Sequence, residues 1–117
     1  MDNTYKNTTS FEERKSESER ILSKYPDRIP IICEQKKNGK LNNLNKYKFL
    51  VPRDLTAGQF AYVIRKKIKL APEQAIFLFV NNILPPTAML MSNLYEDQKD
   101  EDGFLFISYS AESVFGA

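Results

Sequence analysis

At 117 residues, 42% of them hydrophobic, the chain is sized for one globular domain with a single modest core. It holds no histidine and one cysteine. That excludes imidazole general bases, Cys/His nucleophilic pairs, an intramolecular disulfide and every usual zinc ligand set not built from carboxylates. The net charge of +2 conceals three blocs: residues 1–27 carry five basic against six acidic side chains, residues 28–69 eleven against two, and residues 70–117 one against seven. The middle bloc should project a positive field suited to acidic peptides, phosphates or anionic lipid heads. Nucleic acid is disfavoured as a partner, because the basic residues lack the exposed aromatics and Gly-rich loops of a single-strand binder.

Met1 to Ser10 is polar, with no apolar centre, so no secretory signal is expected there. Residues 1–9 are compatible with either a short helical arm or a mobile one. Ser10-Phe11-Glu12-Glu13 has the form of a capping box and opens a helix to about Lys24, stopped by Pro26. Its apolar stripe is thin (Phe11, Ile21, Leu22, then Tyr25), which predicts a helix docked on the surface. Arg28 to Glu34 reads as a strand, with Cys33 as a small buried hydrophobe rather than a nucleophile. After the turn signal Asn38-Gly39, Lys46-Tyr47-Lys48-Phe49-Leu50-Val51-Pro52 reads as a second strand pairing back antiparallel. It puts Tyr47, Phe49 and Val51 on one face and Lys46, Lys48 and Leu50 on the other. Two lysines and a proline are what an edge strand carries against uncontrolled pairing, yet such an edge can still accept a chosen partner strand.

Thr56-Ala57-Gly58-Gln59 is a second capping box, opening a helix whose Phe60, Val63, Ile64 and Ile68 should face the sheet. Arg65, Lys66, Lys67 and Lys69 should cover its wet side, and Pro72 closes it. Ile76 to Val80 reads as a third strand, Met89 to Tyr95 as a short helix with Met91, Leu94 and Tyr95 on one face, and Phe104 to Tyr109 as the last strand. The longest apolar run, Ala75 to Val80, is far short of the roughly 20 residues of a membrane-spanning helix. Asp97, Asp100, Glu101 and Asp102 cluster, and a solvated turn is expected there over a paired-acid site. Hairpin, helix, strand, short helix, strand is the ubiquitin-like β-grasp order, of α+β class, preceded here by two additional N-terminal helices. Three parts follow: residues 1–27 as a helical extension packed on the domain, 28–110 as the β-grasp core, and 111–117 as a flexible tail. That tail ends Phe115-Gly116-Ala117, and its penultimate glycine reads equally as a frayed terminus or as a segment able to thread a narrow enzyme groove.

Several stretches together resemble the autophagy-related protein 8 family, ubiquitin-like modifiers that include the GABA-A-receptor-associated protein. They are Tyr25-Pro26-Asp27-Arg28-Ile29-Pro30, Lys48-Phe49-Leu50-Val51-Pro52, Phe79-Val80-Asn81-Asn82, Leu84-Pro85-Pro86-Thr87, and Tyr109-Ser110 with Phe115-Gly116. The resemblance spans essentially the whole chain. It implies that a cysteine protease cleaves the Gly116-Ala117 bond, and that activating-like and conjugating-like enzymes pass Gly116 to phosphatidylethanolamine. The protein would then be a tag without catalysis or cofactor of its own. It would be a monomer in solution, cytoplasmic, and held on autophagosomal membranes when lipidated.

The resemblance further implies binding of aromatic-x-x-aliphatic motifs on cargo receptors and adaptors as a parallel strand added along Lys46 to Leu50. The aromatic subsite maps to Glu17, Ile21, Pro30, Ile32, Lys48, Leu50 and Phe104, and the aliphatic one to Phe49, Val51, Pro52, Leu55, Phe60 and Val63. Arg28, Lys46 and Lys48 would meet acidic flanking residues, and Phe77 with Phe79 would form a second face while Leu78 and Val80 pack inward. Tyr47 stands where basic residues are frequent in the family. The alternative reading is an unconjugated trafficking or cytoskeletal adaptor acting through the N-terminal helices and the basic face.

Overall fold

A computed structural model describes residues 4–113. Its elements are α1 (Thr4–Thr8), α2 (Phe11–Lys24), β1 (Arg28–Gln35), β2 (Lys48–Pro52), α3 (Ala57–Lys67), β3 (Phe77–Phe79), α4 (Met91–Gln98) and β4 (Leu105–Ser110). They follow the expected order, with α1 formed in the arm. The sheet order is β2-β1-β4-β3, in which β1 pairs antiparallel with β2 and parallel with β4, and β3 pairs antiparallel with β4. β1 is therefore central and covered on both faces, which explains its unbroken buried run from Ile29 to Cys33. Cys33 is fully buried, and burial pushes its thiol well above the ordinary range, so it is an inert core residue.

One face of the sheet carries the main core. Ile29, Ile31 and Cys33 of β1 pack with Leu105, Ile107 and Tyr109 of β4 against Phe60 and Ile64 of α3 and Met91 and Leu94 of α4. Both capping boxes form: Ser10 with Glu13 opens α2, and Thr56 with Gln59 opens α3. Asn81 and Asn82 both take positive φ, 50° and 67°, between two reciprocal Val80–Ile83 bonds of 2.9 and 3.0 Å. Positive φ at both central residues of a two-residue loop is the hairpin turn whose twist matches its strands.

The other face is covered by α1 and α2, so α2 lies on the surface as expected, but the residues that dock it are not the ends of its apolar stripe. Phe11 and Tyr25 are 38% and 40% exposed, whereas the polar Arg14 and Ser18 are buried. Their partner is Asp102, expected in a solvated turn but 0% exposed. Arg14 Nε donates to Asp102 Oδ2 at 2.7 Å, the Phe104 amide donates to Asp102 Oδ1 at 2.9 Å, and the Ser18 hydroxyl donates to the Asp102 carbonyl. Gly103 follows at φ 93°, and a Cβ there would collide with the Ser18 hydroxyl. Within the same acidic run Asp97 and Glu101 are exposed, and Asp100 pairs with Lys6 of α1 at 2.6 Å. Asp102 Oδ2 is thus engaged in docking α2 and Oδ1 in holding its own turn, which leaves them no part in a paired-acid site.

Removing one partner of a buried ion pair strands the other, at a cost of about 3–5 kcal/mol. Asp102→Ala should lose that much in urea unfolding, while the apolar pair Arg14→Met with Asp102→Leu should recover a good part of it. Burial acts to raise the Asp100 pKa, but the hydrogen bonds from Lys6 and the Asp102 amide outweigh it, and the carboxyl sits below its ordinary value. Its stabilisation is present above the unfolded-state value of about 3.9 and is lost as pH falls through the lower folded value. The urea midpoint of Asp100→Asn should accordingly lie below wild type at pH 7 and converge with it as pH falls through the lowered folded value.

Candidate functional site

β2 is hydrogen-bonded on one side only, to β1, and its ladder continues past the strand through the Cys33 amide to the Tyr47 carbonyl at 2.8 Å. Its outer edge is open to solvent. The register pairs Ile32 with Lys48 and Pro30 with Leu50, and Ile31 with Phe49 and Ile29 with Val51. Successive residues point to opposite faces, so Lys48 and Leu50 share a face with Pro30 and Ile32 under the N-terminal helices, while Phe49 and Val51 lie on the core face near α3. The edge therefore has two sides, and the two anticipated residue sets sort onto them. Pro52 is the exception: by register it falls with Lys48 and Leu50, exposed at the end of the strand.

On the helical side Glu17 and Ile21 come down from α2. Arg14, Ser18 and Ile21 follow helical spacing, so the ion pair that docks α2 also aims this stripe at the sheet. Glu17 Oε2 accepts from Lys48 Nζ at 2.6 Å, joining α2 to the β2 edge, and Glu17 Oε1 accepts from the Tyr5 hydroxyl. Burial acts to raise the Glu17 pKa, but the bonds from Lys48 and Tyr5 outweigh it and hold the carboxyl below its ordinary range. Tyr5 is 2% exposed and forms a buried cluster with Ile32 and Phe104, bordered by Ile21 and Phe106. Its ring meets Phe104 edge-on at 5.6 Å, and the Lys48 ammonium sits 4.9 Å from its centroid. Burial and the neighbouring Glu17 push the Tyr5 hydroxyl well above its ordinary pKa, so it stays a donor.

On the core side Phe49 and Phe60 meet edge-to-face at 5.5 Å and 89°. Phe60 and Val51 are buried as core, so of this set Phe49, Leu55 and Val63 are partly accessible on this side, while the exposed Pro52 falls on the other. Leu55 and Val63 also line a groove of about 580 Å³ with Gly58, Tyr62, Thr87 and Ala88. Tyr62, at 58% exposure, is its most open aromatic, and the Lys66 ammonium lies 5.2 Å from the ring.

Among the basic residues, Arg28 and Lys46 are exposed, whereas Lys48 is half-buried and already paired with Glu17. Of the second face, Leu78 and Val80 lie in the main core as expected, but Phe79 is only 3% exposed, leaving Phe77 as the accessible member. Phe115, Gly116 and Ala117 lie outside the described residues. Sequence reasoning missed Tyr5, whose one signal was an aromatic in a polar arm, and Tyr62, an apolar ring in the basic stripe of α3. No group of three or more metal-ligating side chains occurs among the described residues.

Comparison with known proteins agrees with this architecture. The family model described as Autophagy protein Atg8 ubiquitin like matches residues 13–116. Autophagy-related protein 8 of Mycosarcoma maydis is 61% identical over 116 residues, covering 99% of this chain and 98% of that protein. The Schizosaccharomyces pombe protein of the same name is 60% identical, covering 99% and 96%. The crystal structure of Trypanosoma brucei ATG8 superposes with a TM-score of 0.91 at 44% identity, covering 99% of this chain and all of that one. Plasmodium falciparum Atg8, solved in complex with a Plasmodium falciparum Atg3 peptide, gives 0.87 at 42%, covering 97% and 98%. The chain belongs to the Atg8 family of ubiquitin-like autophagy proteins.

Proposed function

We propose that this protein is a ubiquitin-like modifier that binds short aromatic-x-x-aliphatic peptides along β2 and is anchored to autophagic membranes through Gly116. The observation that carries the peptide reading is the open β2 edge with two separate sets of side chains on its opposite faces. A peptide strand added there takes main-chain hydrogen bonds from Lys46 to Leu50, and its alternate side chains reach the two sides of the edge. The aromatic residue would address Glu17, Ile21, Pro30, Ile32, Lys48, Leu50 and Phe104, and the aliphatic one Phe49, Leu55 and Val63 with Val51 and Phe60 behind them and Pro52 at the end of the strand. Arg28 and Lys46, exposed at the two ends of this edge, suit acidic residues flanking the motif. A peptide complex of a family member that superposes well supports this reading and a conjugating-enzyme-like partner.

Conjugation would follow the resemblance noted in the sequence. A cysteine protease removes Ala117, and the Gly116 carboxylate is adenylated, held as a thioester and transferred to the amine of phosphatidylethanolamine. Two acyl chains on one conjugate suffice for stable anchoring. Among the described residues no helix is long and apolar enough to cross a membrane, so a covalent lipid would supply the attachment. Cargo receptors and adaptors bearing the motif would then be gathered from the cytoplasm at the autophagosomal membrane.

Two measurements test this. Lys48→Ala with Leu50→Ala should weaken an aromatic-x-x-aliphatic peptide at least about tenfold by calorimetry with an unchanged circular dichroism spectrum, and undiminished binding would sink the assignment of the edge. In a reconstituted reaction with activating and conjugating enzymes and phosphatidylethanolamine vesicles, deletion of Gly116 should abolish the lipid adduct seen by mass spectrometry. An adduct that persists would refute the role of the tail.

A further inference from the structure

The parallel pairing of β1 with β4 brings the C-terminal ends of both strands to one end of the sheet, where Gln35 lies beside Tyr109. Two segments leave that end side by side: the loop that begins at Lys36 and the chain that leads from Ser110 toward Gly116. The Lys36 amide donates to the Tyr109 carbonyl at 2.9 Å. A concavity of about 330 Å³ between the two segments is lined by Lys36, Lys37 and Lys40 on one side and by Ser110, Ala111 and Glu112 on the other. The C-terminal end of α3 is tied to the same place. The Asn42 side-chain amide donates to the Ile68 carbonyl at 2.8 Å, and the Tyr109 hydroxyl donates to the Asn42 carbonyl at 2.7 Å. Lys67 and Lys69, on either side of Ile68 in sequence, therefore join the loop lysines there.

Lys37, Lys40, Lys67 and Lys69 are exposed and Lys36 is half-buried. The acidic residues at this end are Glu112, Glu73 in the loop before β3, and the half-buried Glu34. The helix dipole accounts for basic residues at the end of α3. It gives no reason for the lysines of the loop after β1. At the other end of the sheet both signs alternate, as in Asp27-Arg28 and Arg53-Asp54, and the exposed acids Asp97 and Glu101 lie there too. β4 has six residues, so roughly 20 Å separates the two ends. The screening length at physiological salt is about 8 Å, so a charged surface touching the basic end does not feel the other.

Gly116 lies six residues past Ser110, and that length of chain spans at most about 20 Å. An anchor at Gly116 therefore keeps the basic end of the sheet close to the bilayer. We propose that the lysines at this end contact anionic phospholipid headgroups, orienting the anchored domain with its strands along the membrane normal and the open β2 edge to the side. This rests on the conjugation at Gly116 proposed above and deepens it: the lipid supplies attachment, and the lysines supply orientation. A single anchor leaves a domain free to tumble about its tether, whereas several lysines drawn to one negative surface select one face.

The test uses the full chain conjugated at Gly116 to phosphatidylethanolamine in phosphatidylcholine vesicles, with or without about 30% phosphatidylserine. An amine-acylating reagent labels the lysines, and mass spectrometry follows each one. On anionic vesicles Lys37, Lys40, Lys67 and Lys69 should be labelled at least about threefold more slowly than on neutral ones, with Lys24 and Lys99 unchanged, and about 0.5 M salt should remove the difference. Lys37→Glu with Lys40→Glu should abolish the protection of Lys67 and Lys69 while peptide binding along β2 stays unchanged. Lys24→Glu with Lys99→Glu, the same change of net charge at the other end, should leave the protection intact. Equal labelling on both kinds of vesicle, or protection that survives the loop substitutions, overturns the proposal. Protection of the unconjugated chain by soluble polyglutamate as strong as that on anionic vesicles overturns the bilayer as the partner. If no adduct forms at Gly116, the conjugation reading falls. A Gly116→Cys chain coupled to a maleimide lipid, with Cys33 fully buried and out of reach, then decides the surface by the same labelling.

Discussion

The N-terminal layer depends on one buried carboxylate. Asp102 uses one oxygen for Arg14 of α2 and the other for the amide of Phe104, just before β4, while its carbonyl takes the Ser18 hydroxyl. The turn that carries it is held further by the Tyr95 hydroxyl on the Gly103 carbonyl at 2.7 Å. A buried ion pair adds little net stability compared with a well-packed apolar pair, but it has direction, and here direction matters. With Arg14 fixed, the residues three, four and seven positions on, Glu17, Ser18 and Ile21, must face the sheet. An apolar stripe can slide or rotate by a fraction of a turn with modest loss, whereas a guanidinium bonded at 2.7 Å to a fully buried carboxylate cannot. The rotational setting of α2, and through it the face that Glu17 and Ile21 present to the β2 edge, follows from that bond.

The two sheet edges are managed differently, and the difference bears on function. β3 is an edge of three residues, too short to template a long partner strand. β2 is longer and carries Lys48 and Pro52, with Lys46 just before it, all features that discourage indiscriminate pairing. Lys48 does more than guard. Its ammonium joins Glu17 of α2 to the edge and lies over two tyrosine rings, at 4.9 Å from Tyr5 and 5.9 Å from Tyr47. A partner that carries its own aromatic ring and carboxylates can replace those interactions, and a merely hydrophobic strand cannot. Discrimination of that kind is a difference of two affinities, built as much from what the wrong strand would lose as from what the right one gains.

What was legible in the sequence was local. Both capping boxes formed as read, because Ser10 with Glu13 and Thr56 with Gln59 are three residues apart and need no tertiary information. The strands and the β2 alternation were likewise readable, because a period of two survives in any register. The parallel β1–β4 pairing joins segments some seventy residues apart by number and came only with recognition of the fold order. The Arg14–Asp102 pair spans 88 residues, and a hydrophobic template scored both residues as wet. That misreading produced the thin stripe of α2, since the residues that bury it are polar and the apolar ones at its ends, Phe11 and Tyr25, are exposed. Phe79 was misplaced for a related reason: alternation fixes which face a residue points to and says nothing of whether that face is covered.

The two N-terminal helices, adjacent in sequence, are held by interactions of different quality, and that difference locates motion in the molecule. α2 is locked by the buried pair and by fourteen residues of capped helix. α1 docks through the Tyr5 ring, the partly exposed Lys6–Asp100 pair, the Lys6 ammonium over Phe106, an amide bonded to Glu34 and the Arg14 guanidinium at its C-terminal end. Glu34 itself is poorly satisfied: its Oε1 is buried without a hydrogen-bond partner, and burial raises its pKa against the smaller effect of the α1 amides. A carboxyl with one unmet oxygen ties the arm down through its amide while burial works against its charged form. The apolar part of α1 docking resides in the Tyr5 ring, which is buried in a cluster with Ile32 and Phe104.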